Sequence, residues 1–309
     1  MKRLKYYLRL LRPIQWVKNV FVVVPLIFSK NLFNVSLFSR SASAFIAFCL
    51  AASAIYVIND IADRKRDLVH PAKRSRPIAS GAVGLTEGWA LALVLLAVSF
   101  LILKVGDTHG LTNAAIIGYV AINLLYSFFL KEIVLIDVFV IAVGFILRIL
   151  AGGFAIDVKV SSWLIMTTLF VSIFLGIAKR RGEFVSAGAS GKEYAATGDG
   201  SRKVLYDYDL SLIDQILSVS AASVIITYAL YTVSQRTVDA FGTEALIFTT
   251  IFVVYGIFRY LYLVHKMGLG ENPTAALLTD KPMVINIIFY IVSVVVIIYK
   301  REIVRLISR

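Results

Sequence analysis

Residues 41–67 read SASAFIAFCLAASAIYVINDIADRKRD, and everything else about the chain is organised around this stretch. Its first eighteen residues carry no charge, long enough to cross a hydrocarbon core about 30 Å thick. The stretch then turns abruptly acidic and basic, as a helix does on leaving lipid. Eight further apolar segments of comparable length lie on either side. With this one, the candidate spans fall at about 20–38, 41–61, 86–104, 111–129, 133–155, 160–178, 211–234, 243–264 and 283–299. None shows period-2 alternation, and only helices satisfy their own backbone hydrogen bonds in lipid, so barrel strands are excluded. The expectation is an all-α polytopic membrane bundle of about nine transmembrane helices, residues 1–309 forming one integral membrane domain.

Composition agrees. Of 309 residues, 59% are hydrophobic and 17% charged, and the mean hydropathy of +0.82 excludes an ordinary soluble domain. Cys49 is the single cysteine, so no internal disulfide exists. The net charge of +13 reads as topology rather than nucleic-acid binding, because Lys and Arg accumulate in cytoplasmic loops. The amino-terminal stretch Lys2–Lys18, the 62–85 loop and the 179–210 loop carry six cations each. With Lys131, Lys266 and Lys281, one side holds 21 and the other nine. The amino terminus and the two long loops are therefore placed in the cytoplasm, the protein in the cytoplasmic membrane. A nine-span count leaves the basic tail from Lys300 to Arg309 on the poorer side.

Chemistry is expected in those long loops. If the second helix continues past its span, Asp60, Asp63 and Asp67 fall at i, i+3 and i+7 and share one face, with Asn59 beside them. Such a carboxylate face suits Mg2+, which takes one or two carboxylates and leaves its other positions to water and substrate phosphates. A solvated helix end with surface ion pairs, such as Asp60 with Arg64, is the bland alternative. The run that follows, Lys73-Arg74-Ser75-Arg76-Pro77, supplies cations for phosphate oxygens and favours the metal–diphosphate reading.

The pattern Asn59-Asp60-x-x-Asp63-x-x-x-Asp67 is similar to the first aspartate motif of the UbiA-type prenyltransferase superfamily. Arg12-Pro13-Ile14-Gln15-Trp16-Val17-Lys18-Asn19 and Lys73-Arg74-Ser75-Arg76-Pro77-Ile78-Ala79-Ser80-Gly81 look more narrowly like its decaprenyl-phosphate phosphoribosyltransferase branch. The resemblance implies transfer of a 5-phosphoribosyl group from phosphoribosyl diphosphate to a polyprenyl phosphate. It implies Asp60, Asp63 and Asp67 as catalytic, with Asn59 completing the metal set, and Mg2+ as cofactor. The runner-up is prenyl transfer to an aromatic or glyceryl-phosphate acceptor. Prenyl-diphosphate users carry a second aspartate motif, but here Asp209 and Asp214 are five apart and diverge by about 140° on a helix.

The loop instead opens on Lys179-Arg180-Arg181, suited to the extra phosphate of a phosphoribosyl donor. These three, with Lys18, Asn19, Lys73, Arg74, Arg76, Tyr126, Arg148 and Tyr206, complete the expected substrate-binding set. For Lys18 an interfacial anchor beside Trp16 competes, for Arg148 a buried ion pair, and for Tyr126 interhelical bonding. His70, His109 and His265 have no metal-ligand spacing. A transporter is disfavoured because the charges gather at one side rather than at the midplane. The sequence leaves a homo-oligomer open and implies no nucleic-acid partner.

Overall fold

The computed structural model describes residues 2–69, 73–108, 110–186, 208–266, 273–300 and 302. The helices are α1 (Lys2–Leu11), α2 (Val24–Phe28), α3 (Val35–Ala62), α4 (Arg64–Val69), α5 (Leu85–Val105), α6 (Gly110–Phe128), α7 (Ile136–Ala155) and α8 (Ser162–Ser186), then α9 (Leu210–Val233), α10 (Gln235–Phe241), α11 (Thr250–Lys266), α12 (Pro273–Thr279) and α13 (Lys281–Ile298). Tight 3-10 segments lie at Pro13–Val22, Leu130–Glu132 and Ala245–Thr249. Among the described residues no strand occurs, and nine helical stretches are long and apolar enough to cross a membrane. The chain is a multi-pass all-α membrane protein.

The first span differs from the sequence expectation. It runs Arg3–Phe28 rather than about 20–38, and the second begins at Val35. Two local features cause the shift. The Asn34 side chain accepts the Leu37 N–H and caps α3, which draws residues 35–40 into the second span. The basic stretch before residue 20, meanwhile, is docked along α3. The Trp16 indole donates to Ser53 Oγ at 3.0 Å, and that hydroxyl donates to the Leu11 carbonyl at 2.8 Å. Arg12 lies between, with φ 50° and ψ 58°, so α1 ends there and a 3-10 helix starts at Pro13. The first span is thus a broken helix, and the break turns Arg12 toward α3.

α3 and α7 are the most buried spans and form the centre. Along α3 the buried residues are mostly small: Ser41, Ala44, Ala47, Ala51, Ala52, Ser53 and Ala54. Small side chains let neighbouring backbones approach where no hydrophobic force separates protein from lipid, and Ser99 of α5 donates across to the Ala47 carbonyl at 2.8 Å. One core joins α3, α5, α6 and the carboxy-terminal part of α7. A second joins the start of α7 to α8, α9 and α11, with Met283 of α13. Large apolar side chains such as Leu93, Ile117, Phe258 and Phe289 face outward, as lipid-facing positions require.

Gly152 is where α7 meets the first span. A Cβ there would lie 1.9 Å from the Val22 carbonyl oxygen, and its obstacle is backbone. Gly152→Ala is expected to destabilise the protein by about 3 kcal/mol, the upper range for overpacking, read as a lower unfolding temperature in detergent.

Candidate active site

The Asn59 end of α3 gathers the connection to α5, the turn between α6 and α7, the end of α8 and the start of α9. α3 stops at Ala62 and Asp63 is its cap residue, with φ −88° and ψ 1°. The turn nevertheless persists, since Asp63 N–H donates to Asn59 and Asp67 N–H to Asp63, both at 2.9 Å. The four oxygen-bearing residues therefore stay on successive turns, as expected.

They do not converge on one point. Asp60 and Asp67, each 2% exposed, are bridged by Arg76, whose guanidinium lies 3.2 Å from Asp60 and 2.8 Å from Asp67. Arg12 reaches Asp60 at 2.5 Å and stacks over the Tyr56 ring. Asp63 turns instead toward α6, where Lys131 holds it at 2.6 Å and Arg66 stands at 3.9 Å. Asn59 faces the same flank and accepts a hydrogen bond from Ser127. Among the described residues no three His, Cys, Asp or Glu side chains form a metal-holding group: of the expected four-residue metal set, Asp60 and Asp67 form a buried pair bridged by Arg76, while Asp63 is engaged by Lys131 and Asn59 by Ser127. The cause is angular: around a helix Asp63 and Asn59 trail Asp60 by about 60° and 100°, which is enough for a different neighbour to claim them. A pocket of about 360 Å3 opens on that flank between Asp63, Arg66, Ser127 and Lys131.

The paired carboxylates fit a hard divalent cation. Two buried acids side by side are costly unless cations compensate them, and the structure brings Arg12 and Arg76 from distant parts of the chain to do so. Their oxygens are the donors Mg2+ selects.

The expected cationic set divides. Lys18, half-buried, lies close enough to Lys179, Arg148 and Arg12 for their charges to act on it, so four cations from the first, fifth and sixth spans surround one region. Arg148 is 5% exposed and has no carboxylate within 4 Å among the described residues. It donates to Asn19 and to the Gly144 carbonyl, both at 2.8 Å, and to Tyr119, and lies against the rings of Phe48, Tyr119 and Phe145. Asn19, buried, orients Arg148 and donates to Cys49. Arg74 is exposed and Lys73 half-buried beside Arg76. Tyr206 and the histidines at 70 and 109 lie outside the described residues.

Arg180 and Arg181, expected as phosphate ligands, are each paired with a carboxylate. Arg180, 1% exposed, lies 2.5 Å from Asp137 and also binds Glu183, with the Tyr126 hydroxyl accepting at 3.4 Å. Arg181 is held by Asp214 at 2.7 Å and by the Val264 carbonyl. The sequence marked these residues as a loop flank, but α8 continues to Ser186 and rotates each onto a different neighbour. Tyr208 closes the buried group, donating to Asp137 and accepting the Leu135 N–H at 2.8 Å. Burial, with Asp137 adjacent, pushes its hydroxyl up to about 12, so it keeps its proton at neutral pH. Asp209 caps α9, accepting the Leu212 N–H, and Asp214 is shared by Arg181 and His265. The two form no second carboxylate pair.

Arg12, Lys131, Asp137 and Tyr208 are site residues that sequence reasoning had not singled out for chemistry. Lys131 had a faint signal, a lysine in a tight turn between two spans at the aspartate end. For the buried Asp137–Arg180 pair the sequence holds none.

A membrane bundle of nine spans with a carboxylate pair opposed by cations at one end defines a class, and the comparisons agree with it: residues 22–279 match the UbiA prenyltransferase family, and the chain belongs to that family. Within it, the chain is 35% identical to the decaprenyl-phosphate phosphoribosyltransferase of Corynebacterium glutamicum, over 94% of this chain and 86% of that protein. It is 32% identical to the enzyme of the same name from Mycolicibacterium smegmatis, over 91% and 88%. The fold is shared with a UbiA homolog from Archaeoglobus fulgidus bound to GPP and Mg2+, at a TM-score of 0.70 and 18% identity, covering 95% of this chain and 99% of the other.

Proposed function

We propose that this protein transfers the 5-phosphoribosyl group of phosphoribosyl diphosphate to a polyprenyl phosphate and releases diphosphate. The observation that carries the reading is the makeup of the site: one buried carboxylate pair, Arg12 and Arg76 brought to it from two segments, and Asp209 and Asp214 engaged elsewhere. Asp60 and Asp67 would hold Mg2+, whose role is to neutralise charge on the departing diphosphate. Arg76 pairs with both carboxylates and Arg12 with Asp60, which sets their orientation. Arg76, Lys73 and Arg74 approach from the following loop to bind phosphate oxygens, and Lys131 does so from the opposite flank. Lys18, Lys179 and Arg148 form a cationic path inward, suited to the phosphate of a lipid acceptor entering from the bilayer. That acceptor is already anionic, so as the bond from ribose C1 to the diphosphate oxygen breaks, an acceptor phosphate oxygen attacks C1 without a strong general base. Arg180 acts by position, fixing α8 against α7.

The same reading takes the chain as one membrane domain whose loops at about 62–85 and 179–210 are cytoplasmic. The excess of Lys and Arg at the aspartate end, 21 against nine, supports that orientation in the cytoplasmic membrane.

The test is a Mg2+-dependent assay on purified protein, offering phosphoribosyl diphosphate with polyprenyl phosphate in one tube and prenyl diphosphate with 4-hydroxybenzoate in another. A phosphoribosylated lipid that EDTA abolishes is the expected product; a prenylated aromatic would overturn the proposal. Arg76→Gln is expected to raise KM for the donor roughly tenfold or more, the size of a lost hydrogen bond between charged groups.

A further inference from the structure

At the opposite end of the bundle, a pocket of about 180 Å3 opens between the end of the first span, the connection from α7 to α8 and the turn from α9 into α10. Each of these segments lies one membrane crossing away from the aspartates. Phe28, Tyr231 and Phe241 supply apolar walls, and Lys159 and Arg236 stand at the rim. Lys30 lies behind, donating to the Phe241 carbonyl at 3.3 Å and resting over the Phe241 ring.

This side is poor in cations. Its connections hold five, Lys30, Arg40, Lys104, Lys159 and Arg236, and three of them meet here. Arg40 is neutralised by Asp107 at 2.6 Å. Lys30, Lys159 and Arg236, by contrast, have no carboxylate within 4 Å among the described residues. Arg236 is also fixed in place: its guanidinium donates to the Lys159 carbonyl at 2.9 Å and ties α10 to the α7–α8 connection. Cations lining a pocket without an ion-pair partner favour an anion there. An apolar wall of aromatic side chains beside a cationic rim matches one occupant at this depth, a lipid whose phosphate sits at the interface and whose chains continue into the bilayer.

We propose that this pocket binds the phosphate headgroup of an anionic phospholipid, at the membrane face opposite the aspartates. Lys159 and Arg236 contact the phosphate, and Phe28, Tyr231 and Phe241 pack against the glycerol and upper acyl chains. The lipid would brace the first span against α9 and α10, since the pocket is formed by all three.

The test is native mass spectrometry of full-length protein released from nanodiscs of phosphatidylcholine and phosphatidylglycerol in equal amounts. Wild type is expected to retain one phosphatidylglycerol in roughly tenfold preference, and the K159Q/R236Q variant to lose that preference, two basic side chains near an anionic surface being sufficient for such a factor. K104Q, which removes a cation from the same side away from the pocket, is expected to retain it. Equal retention of both lipids by wild type, or an unchanged preference in the double variant, would overturn the proposal. So would a preference that appears only when polyprenyl phosphate replaces phosphatidylglycerol. Should the double variant fail to fold, wild type labelled with a headgroup-photoreactive phosphatidylglycerol decides the matter: crosslinks in 158–164 and 231–241 support the site, and crosslinks elsewhere exclude it.

Discussion

Asp60→Ala is expected to lower phosphoribosyl transfer by about a thousandfold or more while the protein stays folded in the membrane. The magnitude follows from losing a fixed electrostatic contribution at the point where diphosphate charge develops. It follows also from what the substitution leaves behind. Asp60 is the residue that Arg12 and Arg76 share, so its removal frees the Arg12 guanidinium to chelate phosphate unproductively, while Arg76 stays on Asp67. Donor binding should therefore persist while kcat falls, a split that distinguishes a catalytic carboxylate from a merely structural one. Asp63→Ala is the companion. Its partners are Lys131 and Arg66, and a comparable loss is expected if the flank it occupies also contacts donor phosphates. Steady-state turnover with saturating Mg2+ and donor checks both, and full activity of Asp60→Ala would remove the metal-site proposal.

Arg180→Ala is expected to cost about 3–5 kcal/mol of stability, the range for breaking a buried pair by removing one partner. Asp137 is fully buried and Arg180 nearly so, and no other described cation reaches Asp137. The Tyr208 hydroxyl donates to it but brings no charge. Loss of the guanidinium therefore leaves a carboxylate stranded at the α7–α8 contact. Unfolding temperature in detergent is the primary readout, with expression level in membranes as the second. Arg180→Ala that kept wild-type stability and lost only donor affinity would return Arg180 to the role of phosphate ligand that its sequence position first implied.

These two variants probe opposite kinds of legibility. The Asp60 prediction grows from a pattern visible in the chain: carboxylates at i, i+3 and i+7 beyond an uncharged span, followed by a cationic loop. Local periodicity, side-chain charge and the length of apolar runs are properties of neighbouring residues, so they survive without knowledge of the fold. The Arg180 prediction grows from a contact across 43 positions, Asp137 to Arg180, and no short-range rule brings those two together. The first span shows the same limit. Hydropathy centred it near residues 20–38 because Lys2–Lys18 is basic, whereas that stretch is carried along α3 by Trp16 and Ser53 and by Arg12 bonded to Asp60.

By itself the sequence determined a helical membrane protein of about nine spans, the end at which its charges gather, and the aspartate-bearing helix that dominates that end. Each rests on hydrophobic length, helical period or net charge, quantities that neighbouring residues set together. Only the tertiary structure decided which carboxylates face one another and which cations are already engaged. Asp60 and Asp67 pair because Arg76 folds back between them, and Asp63 turns from them because Lys131 arrives from the turn between α6 and α7. Arg180 is withdrawn from the surface because Asp137 lies buried where α7 begins. A buried charge takes its role from whichever partner packing delivers, and packing joins residues that the chain keeps far apart.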